Sequence, residues 1–184
     1  MSLEQPEAPF AYPFKVRKLA RAGQAITFSA DAETCRAIAS AYDLIAVESF
    51  EVGCKLRPWK RDGVELVGQV VAKIVQPCAV SAEPLEQVVD EELEAIFLPE
   101  GSKLLRPLEL TDQELIIDPM GADVPDTFTG DSIDLAEPWL EAFVLGIDPF
   151  ARLEGAEFEV ENASDESDSP FSALAKLKLD EKPS

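Results

Sequence analysis

SFEVGCKLRPWKRDGVELVGQVVAKIV, residues 49–75, decides the fold. In its first half Phe50, Val52, Cys54 and Leu56 alternate with Glu51, Gly53, Lys55 and Arg57. That period of two predicts a strand with one buried face and one face in water. In the second half Val64, Leu66, Val70, Ala72 and Ile74 fall on the inner face of a second strand. Arg61-Asp62-Gly63 between them is turn chemistry, and Asp-Gly favours a hairpin.

Working outward, the sheet acquires neighbours and a cover. FKVRKLA (14–20) and QAITFSA (24–30) read as short strands. EQVVDEELEAIFLP (86–99) keeps Val89, Leu93, Ala95 and Phe97 in phase, which predicts a further strand, although its Glu and Leu content offers a helix as competitor. Two segments have helical spacing instead. Residues 31–43 bring Cys35, Ile38, Ala39 and Tyr42 to one face, with Ser29 or Asp31 available as N-cap. Residues 134–146 begin with Asp134 and Glu137 in capping-box spacing and tolerate Pro138 in the first turn. Leu135, Trp139, Leu140, Phe143, Val144 and Ile147 form that helix's apolar face. The fold class expected is therefore α+β, a mainly antiparallel sheet packed against two helices.

A chain of 184 residues with 46% apolar residues and ten Phe suits one domain with a real core. Residues 1–9 read as a flexible arm within a Pro-rich, polar opening dozen, and 10–155 as the domain. Within it 100–132 is a long acidic loop in which QELIIDP (113–119) holds a short strand. Residues 156–184 read as an acidic, largely disordered tail with a short apolar patch at 170–179. No run approaches the ~18 apolar residues of a membrane span, and the opening residues lack a signal-peptide layout. Three cysteines, an odd number, suit a reducing compartment. The expected location is the cytoplasm, without a membrane partner.

The absence of histidine removes Ser-His-Asp and Cys-His catalysis and every His-ligated metal site. No glycine-rich phosphate loop occurs either, and neither a cofactor nor an enzymatic activity is expected. Cys78 and Ser81 have the spacing of a C-x-x-C whose second thiolate is missing. With Cys35 and Cys54 scattered elsewhere, four zinc ligands do not assemble from sequence, and no metal is expected. The immediate neighbours of Cys78 supply no positive charge to activate a thiol, so all three cysteines read as packing.

Charge is unevenly distributed. Residues 1–76 hold ten Lys/Arg against nine Asp/Glu, whereas 77–184 hold six against twenty-seven, within a chain of net charge −20. Lys15 and Arg17 on one strand and Lys55 and Arg57 on another, with Trp59, Lys60 and Arg61 at the hairpin turn, would form a basic patch carrying an aromatic if the strands are neighbours. Such a patch suits phosphates and a stacked base. The competing reading is a solvated strand face whose cations keep the sheet soluble. The carboxylate runs read as a solvated acidic surface or an interaction tail rather than as acid/base pairs or a calcium loop.

QPCAVSAEPLEQVVDEELEAIFLPEG (76–101), IDLAEPWLEAFVLGIDPFAR (133–152) and the closing PFSALAKLK (170–178) together resemble the YceD-type large ribosomal RNA subunit accumulation proteins, a bacterial family with plastid relatives. The resemblance spans about residues 10–179 and rests on the order of these motifs. It implies a non-enzymatic accessory role in accumulation of large-subunit (23S) ribosomal RNA and in ribosome assembly. The basic strand face would then touch rRNA or a pre-ribosomal particle, and the acidic half would engage basic ribosomal proteins or assembly factors. The alternative is an acidic protein-binding adaptor that never contacts RNA. Members of the family often carry C-x-x-C where this chain has Cys78 and Ser81, and some a second cysteine pair after the late helix, where DPFARLEG (148–155) has none.

Overall fold

The structure, a computed structural model, describes residues 8–105 and 125–155. Its elements run β1 (Pro13–Lys15), a short 3-10 turn (Val16–Lys18), β2 (Gln24–Ser29), α1 (Ala32–Ala41), β3 (Ala46–Trp59), β4 (Gly63–Pro77), β5 (Pro84–Pro99), β6 (Asp126–Phe128), β7 (Ser132–Asp134) and α2 (Ala136–Leu145). One sheet has the order β2-β3-β4-β5-β6, antiparallel except for the β5–β6 pair. A second, two-stranded sheet joins β1 to β7. The architecture is α+β.

The alternation in 49–75 sets the layers. Phe50, Val52, Leu56, Val64, Leu66, Val70, Ala72 and Ile74 are fully buried on the inner face. Their register places Phe50 opposite Ala72, Val52 opposite Val70 and Leu56 opposite Leu66. β5 adds Val89, Leu93 and Phe97 to the same face as a strand, the period-two reading having prevailed over the helix. α1 lies over β3, and α2 lies over β4 and β5. Helices of ten residues are marginal alone, so packing holds them in place. Each fully buried large apolar side chain contributes ~1.5–3 kcal/mol toward that end. Asp31 is the cap of α1, accepting the Thr34 N–H at 2.8 Å. That bond holds its carboxyl below the usual range.

Several expectations require correction. Of the 14–20 segment only Phe14 and Lys15 are strand, in β1 (Pro13–Lys15); Arg17 sits in the 3-10 turn, because β1 pairs with β7 for three residues and has no longer partner. Residues 10–12 are not loose. Phe10 stacks on Phe28 at 5.3 Å between ring centroids, and Tyr12 packs on Trp139 at 4.9 Å. Two aromatic anchors outweigh the polar residues around them. Asp134 ends β7, and Leu135 is the N-cap of α2; the Asp134 carboxylate still receives the Ala136 N–H at 3.0 Å and the Tyr12 N–H at 2.8 Å. β6 lies inside the stretch read as a loop. The short strand expected at 113–119, the arm through residue 7 and the tail at 156–184 lie outside the described residues.

At the hairpin the turn comprises residues 60–62, with Trp59 paired to Gly63. The left-handed residue is Lys60, φ 50°, rather than the glycine. Gly63 is required for a different reason: a Cβ there would stand 2.9 Å from Trp59 Cε3 and 3.0 Å from Leu98 Cδ2.

Candidate binding surface

The sheet's outer face is open, and its two ends differ chemically. At the hairpin end, Lys60 Nζ stands 3.8 Å from the centroid of the Trp59 ring, with Arg61 exposed beside it. A cation on the face of a half-buried indole at the sheet's end is a chemistry suited to phosphate and base contacts. Lys55 and Arg57 lie on the outer face of β3. Arg57 Nη2 is bound to Glu65 Oε2 at 2.7 Å, across the β3–β4 pair in which these two residues are direct partners. That guanidinium is already engaged.

Lys15 and Arg17 are not part of this face. Lys15 ends β1 of the other sheet, Arg17 sits in the 3-10 turn that follows, and Arg17 Nε lies 4.0 Å from Asp131 Oδ2. The seven cations and aromatics expected to form one patch therefore divide into a hairpin group and a separate pair. A further exposed cation, Arg21, not singled out from the sequence, lies in the turn before β2. Gly23, φ 84°, packs its Cα side against the Leu56 carbonyl, and the turn closed by Gly23 N–H to Ala20 O brings Arg21 to the hairpin end of β2. A left-handed glycine directly before a strand was the available signal.

β5 presents a row of opposite charge. Glu86, Asp90, Glu92 and Glu94 are exposed on alternate or near-alternate positions. β6 pairs only with Phe97–Pro99, so along 84–96 β5 has a strand partner on one side alone among the described residues. Gln69 Nε2 donates to Asp90 Oδ1 on this face.

At the far end of the sheet Cys78 and Ser81 form a turn against the segment that follows α2. The Cys78 N–H donates to Glu83 O, and Cys78 Sγ receives the N–H groups of Ser81 at 3.5 Å and Leu153 at 3.4 Å. Ala79 N–H donates to Ala151 O at 2.9 Å. Two glutamines complete the junction. Gln76 Nε2 donates to Gln87 Oε1 at 2.7 Å and to Asp148 O at 3.1 Å, while Gln87 Nε2 donates to Gly146 O at 2.9 Å. Gly146 is confined here because a Cβ would stand 2.5 Å from Glu91 Cγ.

Cys78 is nearly removed from water at 3% exposure, which raises a thiol's pKa. Donors outweigh burial: the Ser81 hydroxyl first, then the backbone N–H groups of Ser81, Leu153 and Val80, bring it down to about 6. The Ser81 hydroxyl has a single proton to share between Sγ and Glu83 Oε2, 3.4 Å away, so the fixed backbone donors carry the steadier part of this effect. The burial of Cys78 agrees with a packing role, and the groups that lower its pKa are not neighbouring cations but a hydroxyl and backbone N–H groups, one of them distant in sequence. Cys54 behaves oppositely. Burial pushes its thiol up to about 11, with an opposing influence from the Trp139 indole. The Trp139 N–H is turned toward this weak acceptor without reaching normal hydrogen-bond geometry, and Nε1 is buried without a partner.

Among the described residues no group of three or more His, Cys, Asp or Glu side chains converges as a metal site, and no helix is long and apolar enough to cross a membrane. Comparison of the chain with models of known families, with curated proteins and with solved structures found no match.

Proposed function

We propose that this protein is a non-enzymatic accessory factor supporting accumulation of large-subunit ribosomal RNA, and that it acts in the cytoplasm by binding rather than by catalysis. The motif order of 76–101, 133–152 and 170–178 motivates the process. Segments 78–83 and 148–153, where the resemblance would place the family's cysteine pairs, contact each other. The observation that carries the mode of action is the stack of exposed Lys60 on half-buried Trp59 at the hairpin end, with exposed Arg61 beside it. It offers an indole face and cations to an unpaired base and its phosphates. The acidic row on β5 would face basic ribosomal proteins or assembly factors in the same particle.

The test is sedimentation of lysate at low salt. Co-migration with large-subunit precursors is expected, and its absence overturns direct particle binding. The second reading, an acidic adaptor that does not touch RNA, is favoured by Glu86, Asp90, Glu92 and Glu94 on a strand edge. Capture of partners before and after RNase separates the two: an adaptor keeps its partners.

A further inference from the structure

α2 leaves part of its apolar surface in water. Leu145 is 78% exposed and Val144 39%, on a helix that buries Trp139, Leu140, Ala142 and Phe143. With Tyr42 at the end of α1 and Leu140 these residues floor a groove between the two helices. Its rim is acidic, formed by Asp134, Glu137 and Glu141. The Asp134 carboxylate is taken by two backbone N–H groups, whereas Glu137 and Glu141 are exposed and make no ion pair among the described residues. An occupant should therefore be apolar and carry two or more cations.

We propose that the chain's own residues 171–179 occupy this groove, the apolar side chains of Phe171, Leu174 and Leu177 covering Leu140, Val144 and Leu145 while Lys176 and Lys178 meet Glu137 and Glu141. The sequence beyond Gly155 makes this segment distinctive. After Arg152 the chain's only cations are Lys176, Lys178 and Lys182, and two of them lie among Phe171, Leu174, Leu177 and Leu179. The intervening 157–168 carries six carboxylates and is repelled by the rim. Lysine also suits the place sterically, its stem lying on apolar surface with the ammonium at the edge. Reach is ample: the chain leaves α2 at Gly146, and the sixteen residue-to-residue steps from Gly155 to Phe171 extend to roughly 50 Å. Tethering makes the encounter intramolecular, so modest contacts suffice. The other end of the chain is a poor candidate. Ala8 borders the groove, but residues 1–7 contain Glu4 and Glu7 and no Lys or Arg, and only one large apolar side chain of branched type, Leu3. This inference is independent of the proposed role in RNA accumulation.

Cys35 and Cys54 are buried, so Ser169→Cys in a full chain that also carries Cys78→Ala takes a nitroxide at the new thiol, the same chain without Ser169→Cys treated alike serving as control. Amide signals of Tyr42, Glu141, Val144 and Leu145 are then expected to be lost by paramagnetic broadening. Lys176→Glu with Lys178→Glu should restore them, and adding Glu137→Lys with Glu141→Lys should abolish them again. Leu145→Asp, at a site already in water, should restore them without altering signals from the sheet. Undisturbed groove signals, broadening centred elsewhere, or broadening unaffected by the lysine reversal would overturn the proposal. So would broadening confined to mixtures of nitroxide-bearing and isotope-labelled copies, which would make a second copy the occupant.

Discussion

Cys78 Sγ accepts the backbone N–H of Leu153 at 3.4 Å, joining positions seventy-five residues apart. The thiol thereby fastens the segment after α2 to the turn between β4 and β5. A thiolate accepts such bonds more strongly than a thiol, so the same geometry that holds the segment also acidifies the group.

The first prediction is the titration of that group. Cys78 should form thiolate with a midpoint near 6, while Cys54, pushed up to about 11, and Cys35, raised by burial, stay protonated. Ultraviolet thiolate absorbance should show one early step that Cys78→Ala removes. Ser81→Ala should move the midpoint upward yet leave it below that of an ordinary thiol, because the backbone donors remain. The folded-state pKa lies below the unfolded one, so the native state releases its proton first. This contribution to stability is absent below pH 6, grows from about 6 to about 9, and is complete above that. Denaturation midpoints of the wild type should therefore rise relative to Cys78→Ala across this window. A single step at the ordinary thiol value would refute the assignment.

The glutamine junction predicts a local rather than a global weakness. Gln76, at 6% exposure, and Gln87 satisfy the Asp148 and Gly146 carbonyls. Gln87→Leu would leave the Gly146 carbonyl without its donor and the Asp148 N–H without its acceptor, at a cost of ~1–3 kcal/mol. Hydrogen exchange should accelerate first at residues 146–153, with the β3–β4 core amides little changed. Uniform acceleration would mean that the junction is not a separable unit.

What was legible in the sequence follows from how each element is stabilised. β3, β4 and β5 are long strands with one wet face, so their periodicity is written along the chain. α1 was legible through its spacing and Asp31. β1 and β7 were not, because three residues carry no period and their pairing closes a loop spanning most of the chain. The single basic patch was out of reach for the same reason: Lys15 and Lys55 look alike locally, and only the pairing of β1 with β7 separates them. The acidity of Cys78 comes in part from Leu153, which no local window contains. Gln76 and Gln87 resemble ordinary strand residues until α2 is laid across them.

The hairpin end predicts unequal effects among the cations if RNA is bound there. Lys60→Glu with Arg61→Glu should weaken binding more than Lys15→Glu with Arg17→Glu, since the latter pair lies at the end of β1 in the other sheet and in the turn after it. The slope of log affinity against log salt should flatten by about 0.7 for each single-strand phosphate that a reversed cation no longer neutralises. Trp59→Ala should weaken binding with little change in slope, by ~1–3 kcal/mol if a base stacks on it. Lys55→Glu and Arg57→Glu serve as intermediates, Arg57 being already paired with Glu65. Equal losses from the two double reversals would remove the hairpin end as the RNA-binding surface.

Two glycines next to each other across the β3–β4 pair provide the sharpest test of the fold. Gly68 lies directly opposite Cys54. A Cβ at Gly68 would meet the Gly53 carbonyl and stand 2.5 Å from Cys54 Cβ and 2.6 Å from its Cα, atoms that cannot swing aside. At Gly53, on the outer face, an added Cβ meets nothing within 4 Å. Gly68→Ala should therefore force the two central strands apart and cost at least ~1–3 kcal/mol, the usual penalty for overpacking. Gly53→Ala, relieved of glycine's entropy cost and free of any clash, should be neutral or gain up to ~1 kcal/mol. Denaturant midpoints of the two variants are the measurement. Equal effects, or the reverse order, would show that β3 and β4 do not approach in this register.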